Sequence, residues 1–178
     1  MTVVCGIDPG VTGGIAFLNN GGDPEEYTND QLLALDLPTV GENKNRRLDL
    51  HEIRVMLDGW RPDVAVLEVQ QSMPGQGVSS MFKLGEAYGQ LNGLCNGLDI
   101  KTAFVRPQVW KAATGILAAP KHMTASEQTT FRKHRSIEAA SDLYPKHAWQ
   151  WPRKKDNHRA EAVLIARYGM QMRLDIAQ

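Results

Sequence analysis

Four side chains stand out for the chemistry they offer together: Asp8, Glu68, His158 and Glu161. Carboxylates are the ligands of hard divalent cations, and a neutral imidazole is the commonest nitrogen ligand. Asp8 ends the apolar run Val3-Val4-Cys5-Gly6-Ile7, and Glu68 ends Asp63-Val64-Ala65-Val66-Leu67. If those runs are neighbouring strands, their ends put the two acids within metal-bridging range. His158 and Glu161 stand at i and i+3, on one face of a helix. The apolar Val163-Leu164-Ile165-Ala166 that follows would anchor that helix in the core. Asp156 is a further candidate ligand. The plainer alternative makes Asp156 an N-cap and Glu161 a first-turn acid favoured by the helix dipole.

The elements that must hold these residues can be traced along the chain. Asp8-Pro9-Gly10 is a turn triplet, in which Pro sets φ and Gly accepts a positive φ. Residues 13–18 read as a second strand and the stretch around 32–37 as a third, an antiparallel meander. Leu50, Ile53, Met56 and Leu57 give 49–60 helical spacing before Arg61-Pro62. The strand 63–68 is uncharged through its middle, as a central parallel strand buried on both faces would be. A loop over 70–78 precedes a helix over about 79–96. That helix carries Gly85, Gly89 and Gly93 at spacing four, which predicts the close approach of another backbone. A fifth strand covers 100–105, and Arg106-Pro107 opens a short helix through Trp110 and Lys111. Thr124-Ala125-Ser126-Glu127 fits a capping box, with Phe131, Ile137, Ala140 and Leu143 as the buried side of its helix. The last helix runs from near 157 to about 172. The order β-β-β-α-β-α-β-α, with an extra helix late, predicts one α/β domain over 1–178: a five-stranded mixed sheet, an antiparallel meander then parallel strands, flanked by helices.

Composition narrows the class. With 178 residues, 42% hydrophobic and 22% charged, the chain can bury a core and is not of disordered composition. No apolar run approaches the roughly 20 residues of a membrane span. Met1 to Gly6 shows no signal-peptide pattern, so a cytoplasmic setting is expected, the host cytoplasm if the chain is viral. Cys5 and Cys95 are expected to be reduced core thiols. The zero net charge hides a division: residues 1–100 hold 14 acids and 6 bases, residues 101–178 the reverse. Such asymmetry points to a polyanionic partner.

Several segments resemble the RuvC-type Holliday-junction resolvases of the RNase H-like nuclease superfamily. Gly6-Ile7-Asp8-Pro9-Gly10 resembles the opening GIDPG of that family, and Val66-Leu67-Glu68 its second acidic strand. The stretch from Ser80 to Gly89 is similar to its SALKLGQARG-like helix, the segment from Val109 to Gly115 to its VKKAVTG, and Ala160-Glu161-Ala162 to its terminal ADA. The resemblance implies Asp8 and Glu68 as the first two catalytic acids. Glu161 stands where the family usually has Asp, and His158 where many members have another Asp. It implies an RNase H-like fold and a crossover junction endonuclease that nicks branched DNA in pairs and leaves 5′-phosphate and 3′-hydroxyl ends. It also implies two Mg²⁺ ions held by Asp8, Glu68, His158 and Glu161, with Mn²⁺ as a substitute, and a homodimer matched to the two-fold symmetry of a four-way junction. The glycine-lined helix is a candidate interface.

From the basic half, Lys111, Lys121, Lys133, Arg153, Lys154, Lys155 and Arg159 are candidate phosphate contacts, with Arg132 and Arg135 as weaker ones. Trp149 and Trp151 would stack on exposed bases or anchor their loop. The family's wedge-like aromatic after the second acid is missing here, leaving Gln71 or Met73 in its place. Two other readings stand beside this one. Asp8-Pro9-Gly10-Val11-Thr12 also fits the first phosphate loop of an actin-like or sugar-kinase-type ATP-binding domain, though no later Gly-rich loop follows. A non-catalytic DNA-binding member is the other, opposed by the presence of all three acids.

Overall fold

The computed structural model describes residues 2–20, 32–71, 75–116, 119–120 and 122–176. Strands β1 (Thr2–Asp8), β2 (Gly14–Asn20) and β3 (Leu32–Asp36) form the meander. A two-stranded ribbon follows, β4 (Thr39–Val40) with β5 (Arg47–Leu48), then helix α1 (Leu50–Trp60) and strand β6 (Val64–Glu68). Helix α2 (Val78–Gly97), strand β7 (Lys101–Val105) and helices α3 (Pro107–Ala113), α4 (Ala125–Leu143) and α5 (Asn157–Ile176) complete the order. The main sheet is β3-β2-β1-β6-β7, antiparallel through the first three strands and parallel from β1 to β6 to β7. This is the five-stranded mixed sheet expected from the sequence. The β4–β5 ribbon was not foreseen, its strands being too short to show a period.

Strand alternation sorts the core into two layers. Val4, Ala16, Leu18, Leu32, Ala34, Val64, Val66 and Val105 face α5, where Val163, Leu164, Ile165 and Ala166 are fully buried. Cys5, Ile7, Ile15, Phe17, Ala65 and Leu67 face α1 and α2, packing on Ile53, Leu57, Leu91 and Cys95. Both cysteines are free and buried, and burial pushes each thiol's pKa up. Among the described residues no helix is long and apolar enough to cross a membrane.

Local signals explain the ends of the helices. Asp49 caps α1 by accepting from the backbone of His51 and Glu52. Thr124 and Glu127 form the expected capping box of α4. Around Gly85, Gly89 and Gly93 an added Cβ would meet nothing within 4 Å, so among the described residues no other backbone approaches α2 at these positions. One expectation fails. On α4 the fully buried residues are Ser136 and Ala140, whereas Leu143 is exposed, because the face toward α5 is narrower than the apolar spacing suggests.

Candidate active site

The same alternation that sorts the core aims the acids. Val4, Gly6 and Asp8 share one face of β1, and Val64, Val66 and Glu68 share the same side of the sheet on β6. The strands run parallel in register from Val4 opposite Val64 to Ile7 opposite Leu67, so Asp8 and Glu68 follow at adjacent C-terminal ends. Both therefore open toward the start of α5. The turn after Asp8 is tight: Gly10 has φ +142°, a value L side chains rarely adopt, and its carbonyl accepts from Gly13 at 2.9 Å.

Helix α5 reaches these acids because two glycines let it lie on the sheet. A Cβ on Gly14 would come within 2.3 Å of the His158 carbonyl oxygen, and one on Gly6 within 2.2 Å of the Ala162 carbonyl oxygen. His158 and Glu161, one helical turn apart, are thereby set over Asp8. One ligand atom from each of Asp8, His158 and Glu161 lies within 4.8 Å of the others. His158 Nδ1 is 2.5 Å from Asp8 Oδ2. Glu68 stands beside this triple rather than within it, lining the same cleft of about 460 Å³ together with Thr12, Gln70, Ser80 and Lys83. A wider hollow of about 760 Å³ along α4 lies away from these acids. Chemistry rather than size marks the site.

Two buried donors fix the glutamates. The indole Nε1 of Trp110 donates to Glu68 Oε2 at 2.6 Å, and Ser136 Oγ lies 2.9 Å from Glu161 Oε1. Gln70 Nε2 makes a longer contact with Glu68 Oε1, at 3.3 Å. Burial, and then the charge of Asp8, push the Glu68 pKa up to about 7 against the pull of Trp110 and Lys111. Glu161 is raised by the same two causes in the same order. The bond to Asp8 raises His158 despite its burial. Two glutamates that resist ionising without a positive partner, with Asp8 and one imidazole beside them, form a donor set that fits a hard divalent cation.

The other sequence candidates divide. Asp156 is not brought to the cluster: its carboxylate accepts from the Arg153 backbone and guanidinium at 2.8 to 3.2 Å, ending the short turn Lys154–Asp156 ahead of α5. It is neither beside Asp8, His158 and Glu161 nor an accepting N-cap of α5. Arg153 is thus paired, although its side chain remains 55% exposed. Arg159 is committed inward, forked onto Asp36 at 2.7 and 2.8 Å and donating to the Gln150 carbonyl. Lys111 lies beside the site, 4.9 Å over the Trp110 ring and acting on the charges of both Glu68 and Glu161. Lys133 acts on His158. Lys154, Lys155 and Gln71 are exposed. Arg132 bonds Gln128 and Arg135 pairs with Glu138. Trp151 is the anchor, buried and donating to Ser141, while Trp149 is 72% exposed. Lys121 and Met73 lie outside the described residues.

Sequence reasoning missed the roles of Trp110, Ser136, Gln70 and Lys83. For Trp110 a signal existed, because a buried indole N–H requires an acceptor and the chain has few buried anions. Ser136 gave none, since a serine in mid-helix ordinarily bonds its own backbone.

No protein-family model matches the chain, and no curated protein sequence does. Solved structures do. RuvC from T. thermophilus in complex with a Holliday junction substrate matches with a TM-score of 0.62 at 18% identity, over 96% of both chains. A second Thermus thermophilus RuvC structure gives 0.54 at 17%, again over 96% of both. The yeast mitochondrial Holliday junction resolvase Ydc2 gives 0.52 at 12%, over 93% of this chain and 76% of that one. The chain has the fold of the RuvC-type resolvases.

Proposed function

We propose that this chain is a metal-dependent endonuclease that resolves branched DNA, Holliday junctions in particular, by paired nicking. The observation that carries the proposal is the gathering of Asp8, His158 and Glu161 within 4.8 Å beside Glu68, at the strand ends of a fold shared with junction resolvases. Asp8, His158 and Glu161 would hold one Mg²⁺, with Glu68 completing a second position next to Asp8; Mn²⁺ would substitute because one ligand is an imidazole. Bound there, the ions supply Lewis acidity to water and to the scissile phosphate, and the expected ends are 5′-phosphate and 3′-hydroxyl.

The protein's own part is positioning and charge. The bond to Asp8 favours the protonated form of His158, and a cation held by the imidazole would compete with that proton, so loading is coupled to pH. Lys111 and Lys83 lie where they offset the acids for an approaching phosphate, while Lys133, Lys154 and Lys155 offer sequence-independent contacts farther out. Two nicks placed symmetrically call for a homodimer. The open face of α2, with Val78 80% and Phe82 73% exposed, supports that helix as the interface.

A synthetic four-way junction with labelled strands tests the proposal. Expected are paired nicks that need Mg²⁺ or Mn²⁺, abolished by Asp8→Asn with junction binding retained or tightened, because the substitution removes a ligand and some repulsion of phosphate. Wild-type cutting by Asp8→Asn would refute the site assignment. Cation-dependent ATP hydrolysis without nicking would favour the phosphotransfer reading instead.

A further inference from the structure

Glutamate is an ambiguous ligand. Its longer side chain can present one oxygen to a cation or turn to present both. Ca²⁺ accepts either mode in a loose shell of six to eight oxygens, whereas Mg²⁺ demands a compact octahedron in which a two-oxygen carboxylate fits badly. A site built on two glutamates therefore needs something to decide the mode.

Each glutamate here has one oxygen already engaged from the core side. Glu68 Oε2 accepts the Trp110 N–H at 2.6 Å, and Trp110 is fully buried, so the donor cannot turn to water. The bond takes one of the two lone pairs of Oε2 and fixes the plane of the carboxylate, whereas Oε1 meets only the long Gln70 contact at 3.3 Å. Glu161 Oε1 lies 2.9 Å from Ser136 Oγ, and Ser136 is likewise fully buried. That hydroxyl also lies 3.1 Å from the Arg132 carbonyl oxygen, but it has a single hydrogen, and an anionic acceptor takes it in preference to a neutral one. The two donors come from different helices, α3 and α4, and approach from the same apolar layer.

We propose that Trp110 and Ser136 are positioning residues that restrict Glu68 and Glu161 to one ligand oxygen each, and that this restriction makes the site select Mg²⁺ over Ca²⁺. The inference rests on the proposed metal centre and adds to it the residues that choose the ion. Neither side chain needs to touch the cation. Lys111, stacked on the Trp110 ring, adds weight by holding the indole in place.

The test is calorimetric titration of Mg²⁺ and of Ca²⁺, separately and without DNA, into the full chain and its variants. Trp110→Phe keeps an aromatic ring and removes the N–H; Ser136→Ala removes only the hydroxyl. In each, the preference for Mg²⁺ over Ca²⁺ is expected to fall about tenfold, the lower end of what outer partners of metal ligands usually contribute. Ser136→Thr, which restores a hydroxyl, is expected to recover it. Circular dichroism and thermal melting report whether each variant folds, and if Trp110→Phe does not, Ser136→Ala alone decides. An unchanged ratio in a folded variant overturns the inference, as does equal weakening of both ions. Those results leave the metal centre standing if the wild-type chain binds Mg²⁺ and Asp8→Asn does not. If the wild type binds neither ion and Asp8→Asn titrates identically, the metal centre itself falls, and this inference with it.

Discussion

The two sides of the sheet use the same residue in opposite ways. On the α5 side, Gly6, Gly14 and Gly169 sit where no Cβ fits: an added one would lie between 2.2 and 2.4 Å from the nearest atom of α5 or, for Gly169, of Val66. On the other side, Gly85, Gly89, Gly93 and Gly97 of α2 face open space. Both sets are glycines within regular elements, where each costs roughly 1 kcal/mol against alanine. On the α5 side that cost is offset by a helix laid close enough to bring His158 and Glu161 over Asp8. Among the described residues nothing offsets it on α2. The proposed metal site would need its ligands held to about half an ångström, which the closely packed side provides.

The strongest way to break this contrast is Gly6→Ala. Its methyl would collide with the Ala162 carbonyl and the Ala166 nitrogen, backbone atoms of two fully buried residues of α5 that cannot swing aside. The expected loss is about 3 kcal/mol, the upper end for overpacking, read from urea unfolding, together with loss of nicking as α5 lifts from Asp8. A near-neutral result would mean that α5 tolerates displacement and that the contrast between the two sides is weaker than the packing indicates.

How far the sequence revealed this arrangement follows from what kind of signal each part sends. The strands and the meander were legible because period-two burial and turn triplets such as Asp8-Pro9-Gly10 are local. So were Asp8 and Glu68, acids closing apolar runs, and the pair His158 and Glu161, one turn apart at the head of an apolar helix. The resemblance named their partners in advance. The pairings of Asp156 with Arg153 and of Arg159 with Asp36 were not legible, because all four are ordinary charged residues and composition does not say which cation faces which acid. Trp110 and Ser136 act across 42 and 25 residues of sequence, a distance that no window spans. The glycines of α2 show the other limit, since spacing identifies a face and not what lies against it.

A middle-sized effect sharpens the contrast through pH. A carboxyl whose folded pKa lies above its unfolded value keeps a proton in the folded state while the unfolded chain has lost it. For Glu68 that interval runs from its ordinary 4.5 to about 7. Stability of the cation-free protein should therefore decline as pH rises through this window, by on the order of 2–3 kcal/mol from Glu68. Glu68→Gln should flatten the profile, and saturating Mg²⁺ should restore stability at the alkaline end. Asp36 and Asp156 carry the opposite sign. Their arginine partners hold them below the usual carboxylate range, so their contribution is present above about pH 3.9 and is lost as pH falls through the lowered values. Urea unfolding between pH 3 and 8, with and without Mg²⁺, separates the two; a profile that rises steadily from pH 5 to 7 without Mg²⁺ would contradict the buried, charge-crowded position of Glu68.

The smallest effect probes the open side. Gly89 has nothing within 4 Å, so Gly89→Ala should gain helix propensity without collision, about 1 kcal/mol in the unfolding free energy of the dilute, dissociated chain. If a second copy packs on α2, the same methyl lies between the two helices and should weaken association by a similar energy, roughly fivefold to tenfold in the dissociation constant. The two readouts then move in opposite directions, stability up and association down, measured by urea unfolding at low concentration and by sedimentation across a concentration series. A rise in stability with unchanged association would place the dimer contact elsewhere, and a fall in the stability of the dissociated chain would show that α2 is covered by its own chain after all. The opposed pair of results is the one expected, because exposed Val78 and Phe82 frame a helix face stripped of side chains, and such a face lets another helix approach closely.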